Sequence, residues 1–118
     1  MTDEAGASTV EFAMVVPILL MLIFGIVQFG LTFGNHLAIT HAAREGARLA
    51  AVGAFNEGSV RSRAYPVDPT AVTVAYPNGN LHGEPVVVRI EYDMTINIPF
   101  FGERELPLSS EARMRLEV

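Results

Sequence analysis

A glycine followed five residues later by a carboxylate, Gly6-Ala7-Ser8-Thr9-Val10-Glu11, stands at the mouth of an uncharged stretch that begins at Phe12. A carboxylate is costly in such a place: Asp at the centre of a membrane-spanning helix costs roughly 2.5–3.5 kcal/mol, and less near the interface. Glu11 therefore needs a partner or a task, and the chemistry open to it is charge pairing. Other reactive groups are sparse. There is no cysteine, which excludes disulfides and thiolate metal sites. His36 and His41 lie five residues apart, about 140° round a helix, and cannot share a metal as i,i+4 ligands do. No glycine-rich phosphate loop, nucleophile elbow or clustered acid–base pair occurs, so the reading is a protein without enzymatic activity, cofactor or metal. A net charge of −5, with eight arginines, no lysine and no clustered basic face, argues against a nucleic-acid binder.

The element that must position Glu11 is long. From Phe12 to Leu37 no Asp, Glu, Lys or Arg occurs, a run of 26 residues, where about 20 span a bilayer core. Its residues are apolar all round, as suits a helix facing lipid. The run is too long for a secretory signal and no small-residue cleavage site follows it at the right distance. Beyond Leu37 the pattern turns amphipathic, with Ala38, Ile39, Ala42, Ala43, Gly46, Ala47, Leu49 and Ala50 set against Arg44, Glu45 and Arg48. One helix from about Ser8 to Val52, ended at Gly53, would be about 65 Å long, twice the hydrocarbon thickness. Pro17 removes a helical hydrogen bond inside it, either a simple kink or a point where the segment bends on leaving a bilayer. Gly25 precedes a ridge of small residues, Gly30, Gly34, Ala38, Ala42, Gly46 and Ala50, which lets a second helix or the protein's own sheet approach closely.

Residues 56–68 read as irregular, broken by Gly58, Pro66 and Pro69, with one short helical turn near Ser59 to Ala64. From Ala71 the period becomes two: Val72, Val74 and Tyr76; then Val86 through Ile98 on even numbers; then Ala112, Met114, Leu116 and Val118. Arg89, Glu91, Asp93, Thr95 and Asn97 fill the opposite face of the middle segment. An antiparallel sheet with one wet face follows, and its dry face needs a cover, which the amphipathic half of the helix supplies. Asn78-Gly79 and Pro99 to Gly102 carry turn chemistry. The fold class is therefore α+β: one long N-terminal helix with a three-stranded meander, four strands being the alternative, whose outer strands are long. Phe100-Phe101 at the hairpin tip reads as either a contact or the end cap of the core, and the cap is preferred. The organisation expected is 1–6, 7–53 (with 12–37 spanning and 38–53 amphipathic) and 54–118.

The segment Gly6 to Phe12 resembles the processing site of type IV pilins and pseudopilins. Val10-Glu11-Phe12-Ala13 with Pro17, then Gly25-Ile26-Val27-Gln28-Phe29-Gly30, then Ala42-Ala43-Arg44-Glu45-Gly46-Ala47-Arg48 resemble the TadE-like proteins of the tight-adherence (Tad) pilus machinery; the closing Ala112 to Glu117 is similar to their last strand. The resemblance implies a prepilin leader cut by a membrane peptidase between Gly6 and Ala7, making Glu11 the fifth mature residue. There it pairs with the new α-amino group of Ala7, within one subunit or across two, and sets axial register. It implies as partners a prepilin peptidase, an inner-membrane assembly platform, other TadE-like subunits, the major pilin and membrane lipid. Arg44, Glu45 and Arg48 are a solvated face on composition and a partner contact on the resemblance. The leader departs from the family pattern: it holds Asp3 and Glu4 and no basic residue, and Arg44 and Arg48 lie beyond the far end of the span. The expected placement is nonetheless the cytoplasmic membrane, N-terminus inside and sheet domain outside, and extracellular once in a pilus. The alternative is a permanently anchored single-pass protein whose outer domain binds a partner.

Overall fold

The computed structural model describes residues 2–118, ordered as α1 (Thr2–Ala51), α2 (Glu57–Arg63), β1 (Ala71–Ala75), β2 (Pro85–Ile98) and β3 (Gly102–Arg115). Two compact units divide at Leu31 and Thr32.

In the first unit the chain is helical from Thr2, earlier than the Ser8 expected from sequence. Asp3 and Glu4 sit in the first turn, where carboxylates complement the positive end of the helix dipole, and Ala5 adds propensity. The helix continues without interruption through Pro17. Among the described residues α1 is the one helix long and apolar enough to cross a membrane, and none of its most apolar stretch is covered by the rest of the chain. Phe12, Met14, Ile18, Leu22 and Ile26 all stand open.

The second unit holds the core. Ile39, Ala42, Ala43, Ala47 and Ala50 repeat at helical spacing on one face of α1 and are buried against Val60, Val86, Val88, Ile90 and Leu116. Small side chains bring backbone close to sheet: a Cβ added at Gly46 would lie 3.0 Å from Val88 Cγ1 and 3.1 Å from Val60 Cγ2. Polar bonds line the same seam, Ser110 Oγ donating to Thr40 Oγ1 (3.0 Å) and Asn35 Nδ2 to Met94 Sδ (3.4 Å). Helix α1 ends as its glycine predicts. Gly53 adopts φ +73°, its N–H donates to the Ala50 carbonyl and the Ala54 N–H to that of Leu49, a paired closure that satisfies terminal carbonyls. Helix α2 is capped by Asn56, whose side chain accepts from Gly58 N (2.8 Å). Arg61 then ties it to the next loop, with Nη1 donating to the Pro69 carbonyl at 2.6 Å.

The sheet is an antiparallel meander in the order β1-β2-β3. Its register pairs Val88 with Ala112, Ile90 with Ser110, Tyr92 with Leu108 and Met94 with Leu106, which keeps even numbers on one face. Arg89 stands opposite Glu111 on the wet face and reaches it at 3.4 Å. The C-terminal segment is clamped: Leu116 exchanges backbone bonds with Gly83 and Glu84, and Glu117 N–H donates to the Ala51 carbonyl.

Three expectations need correction. The outer strands are not both long, since β1 has five residues. Strand β3, by contrast, is long as expected and starts at Gly102 directly after the Pro99 turn, although Glu103, Arg104, Glu105 and Pro107 interrupt the apolar alternation there. Pro107 is tolerated because β3 is an edge strand. Phe100 and Phe101 do not cap the core: they are 93% and 72% exposed, with Phe100 at φ +73° in a three-residue loop. Even numbering also stops predicting burial at the strand ends, where Tyr76, Met114 and Val118 are exposed.

The contact at Gly46 sets a measurable limit. In the full chain in detergent micelles, Gly46→Leu should destabilise the sheet domain by roughly 1–3 kcal/mol through overpacking. Gly46→Ala should stay near wild type, a helix-propensity gain of about 1 kcal/mol opposing the tight contact with Val88. Thermal unfolding followed by circular dichroism separates the two.

Candidate functional site

The sequence-predicted residues fall into two places. Gly6, Ala7 and Glu11 lie on the first three turns of α1 and are exposed. Gly6 has open space where a side chain would be, and Thr9 Oγ1 donates back to the Ala5 carbonyl at 2.8 Å. Glu11 sits less than two turns after Gly6, at the threshold of Phe12, and among the described residues it forms no salt bridge. Its carboxylate is thus open to a cation from outside its own helix. Because the Gly6–Ala7 peptide is helical, a protease acting there must unwind it locally.

The small-residue ridge divides along α1 into an open and a covered part. Gly25, Gly30 and Gly34 have nothing within 4 Å of an added Cβ, whereas Ala42 and Gly46 are buried under the sheet and Ala38 is half-buried beside it. The upper half of the ridge is therefore occupied by the protein's own strands, and the lower glycines keep a flat helical surface.

Arg44, Glu45 and Arg48 lie at the solvent side of the second unit. Arg48 donates to Glu45 twice, Nη2 to Oε1 at 2.8 Å and Nε to Oε2 at 3.1 Å. This fork holds the Glu45 carboxyl below the usual carboxylate range, and the Arg48 guanidinium is correspondingly held protonated. The two long side chains so joined stiffen the last turns of α1 while Arg44 projects freely.

Sequence reading missed what gathers round them. His41, Arg44, Arg48, Arg63 and Met114, with Glu45, line a shallow cleft of about 420 Å³. Arg115 lines a second recess that shares Arg48 and Met114. Arginines from α1, α2's last turn and β3 thus converge on one face of a chain whose net charge is negative. Only the fold brings these elements together, and no local spacing foretold it. Among the described residues no three His, Cys, Asp or Glu side chains cluster to hold a metal ion.

A long apolar helix whose amphipathic continuation is roofed by a three-stranded sheet defines an α+β protein with a candidate membrane span. The sequence model of the TadE-like protein family matches residues 6–48, and over that stretch the chain is similar to TadE-like proteins. That stretch holds Gly6, Ala7, Glu11, the glycine ridge and the Arg44–Arg48 turn; α2 and the sheet lie outside it. The family is one of structural proteins associated with the Tad pilus machinery. No curated protein and no solved structure matches the chain.

The Glu45–Arg48 fork carries a pH signature. With its folded value depressed, Glu45 contributes stability above its ordinary value of 4.5, and that contribution is lost as pH falls through the depressed one. Arg48→Ala should move the Glu45 titration midpoint upward, toward that ordinary value. Carboxyl-carbon NMR of both proteins between pH 2 and 6 measures it, and an unchanged midpoint would rule out the fork as the cause of the depression.

Proposed function

We infer that this chain is a minor pilin or pseudopilin of a Tad-type pilus. It is held in the cytoplasmic membrane by α1 with its sheet domain outside, and cut between Gly6 and Ala7 by a prepilin peptidase before entering the assembly. The observation that carries this reading is the Gly6-to-Glu11 spacing directly before an apolar helix that the rest of the chain leaves uncovered. Cleavage creates an α-amino group on Ala7, and in a medium of low dielectric the Glu11 carboxylate is its natural counter-charge. A subunit entering in the wrong register leaves both charges unpaired, which penalises every register but one. Gly25, Gly30 and Gly34, open on the helix surface, offer neighbouring helices close approach, and Pro17 gives the segment a place to bend. The Arg44 face then meets an acidic surface on another TadE-like subunit, the major pilin or the assembly platform.

One observation favours a second reading. The acidic leader, with Asp3 and Glu4 and no basic residue, suits a permanently anchored single-pass protein whose outer domain binds a partner.

N-terminal sequencing of protein purified from its host distinguishes them, since the pilin begins at Ala7 and the static anchor retains Gly6 and the residues before it. Glu11→Ala should leave processing and membrane insertion intact. By stranding a buried amine, at a cost of roughly 3–5 kcal/mol, it should lower incorporation into sheared filaments by two orders of magnitude or more, read by quantitative mass spectrometry. Normal incorporation of Glu11→Ala would refute the register mechanism.

A further inference from the structure

We propose that copies of this chain meet one another through two oppositely charged surfaces of the sheet unit, the arginine cleft of one copy seating against the outer sheet face of the next. The occupant of the Arg44 face is thus a second copy of the chain. This rests on the reading of that face as a partner contact, and not on processing after Gly6. Every residue involved lies in the compact unit Thr32–Val118.

Of the eight arginines, Arg48, Arg61, Arg89 and Arg113 are gripped by carboxylates of their own copy. Arg44, Arg63, Arg104 and Arg115 form no salt bridge among the described residues, and all four are exposed. Three of these four gather on one face, Arg44 and Arg63 in the cleft with Arg48, and Arg115 in the adjoining recess. Four arginines there face two carboxylates, Glu45 and Glu117, and Arg48 already occupies Glu45. The surplus is positive on a chain whose net charge is −5.

The unmatched carboxylates collect elsewhere. The register of β2 and β3 sets Asp93 opposite Pro107, Thr95 opposite Glu105 and Asn97 opposite Glu103, all odd-numbered and on the face turned away from α1. Asp93, Glu103 and Glu105 are exposed and form no salt bridge among the described residues. No arginine shares those register positions, since Arg104 alternates to the other face. Within one copy the two surfaces cannot meet. Met114, in the cleft, and Glu105 are nine residues apart on β3, a rise of about 30 Å. That is several times the screening length of about 8 Å at physiological salt.

Three unpaired guanidiniums in one place and three unpaired carboxylates in another are complementary between copies. The contact joins unlike surfaces, cleft to outer face, so it is heterologous and repeats from copy to copy. Exposed apolar side chains flank each patch, Met114 and Val52 at the cleft and Phe100 and Phe101 at the hairpin end, and add apolar area to the contact. Opposite charge then decides which surfaces meet and in which orientation.

The chain has no cysteine, so introduced cysteines are the only thiols. His41→Cys lies in the cleft and Thr95→Cys among the carboxylates, both at exposed positions, and neither removes an arginine or a carboxylate. Full-length H41C and T95C proteins carrying tags of different size are mixed in detergent micelles at low salt and joined with a short bis-maleimide. The expected result is an H41C–T95C product in excess of both symmetric products, fading as salt is raised. Arg44→Glu with Arg63→Glu in the H41C protein should lower that product about tenfold or more, and Asp93→Arg with Glu105→Arg in the T95C protein should restore it. Restoration also shows that both reversed proteins are folded. Equal yields of all three products, or symmetric products alone, mean that copies meet elsewhere and overturn the contact. A mixed product indifferent to charge reversal overturns it too, as does loss without recovery in the swapped pair. Each of these failures leaves the pilin reading standing, because a mature N-terminus at Ala7 is read separately; a chain that retains Gly6 yet gives the mixed product removes that reading and keeps the contact.

Discussion

The close approach of α1 to its sheet is the constraint on which the rest depends. Where Gly46 meets Val88 and Val60 there is no room for another methyl group without displacement, and Ala42, Ala43, Ala47 and Ala50 extend that seam along three turns. A seam of such small residues buries little area per residue, so it must be continuous and well matched, and the β-branched side chains of β2 supply rigid counterparts. One helix consequently carries two surfaces in succession, apolar all round and then striped, and the change occurs where the sheet begins to cover it.

The seam also explains the division of polar groups. Along the covered face the polar side chains of Thr40, Ser110 and Asn35 each find a partner. Charge is left to the outer face of the sheet and the solvent side of the helix, where Arg89, Glu111 and Arg113 form one line of ion pairs and Arg48 grips Glu45. Exposed pairs of this kind contribute little to stability. Their consequence is shape: side chains tied to one another present a fixed charge pattern instead of a mobile one.

Much of this was legible in the residues because period is a direct imprint of geometry. The even-numbered apolar residues from Val86 to Ile98 announced a half-buried strand, the spacing from Ile39 to Ala50 announced the face that covers it, and Gly53 announced the stop. The apolar alternation was obscured over the first ten residues of β3, since an edge strand on a short core can alternate charge with Leu106 and Leu108 and still pair along its whole length. Direction at the hairpin tip was hidden as well. Whether Phe100 turns inward depends on a single backbone angle in a three-residue loop, and composition does not encode it. Of the candidate site, Gly6 and Glu11 could be picked out because they are local in sequence. The arginine face needs α1, α2 and β3 brought together, and only tertiary structure does that.

Pro107 has a meaning beyond its tolerance in β3. Its neighbour across the ladder, Asp93, turns its N–H away from β3 toward Thr70, so the nitrogen of Pro107 faces the open side of the sheet. At that point the exposed border lacks a donor, and the opposite border is only the five residues of β1. Neither rim is a good template for strand addition from another molecule. Strand addition is thereby discouraged at that point of the rim.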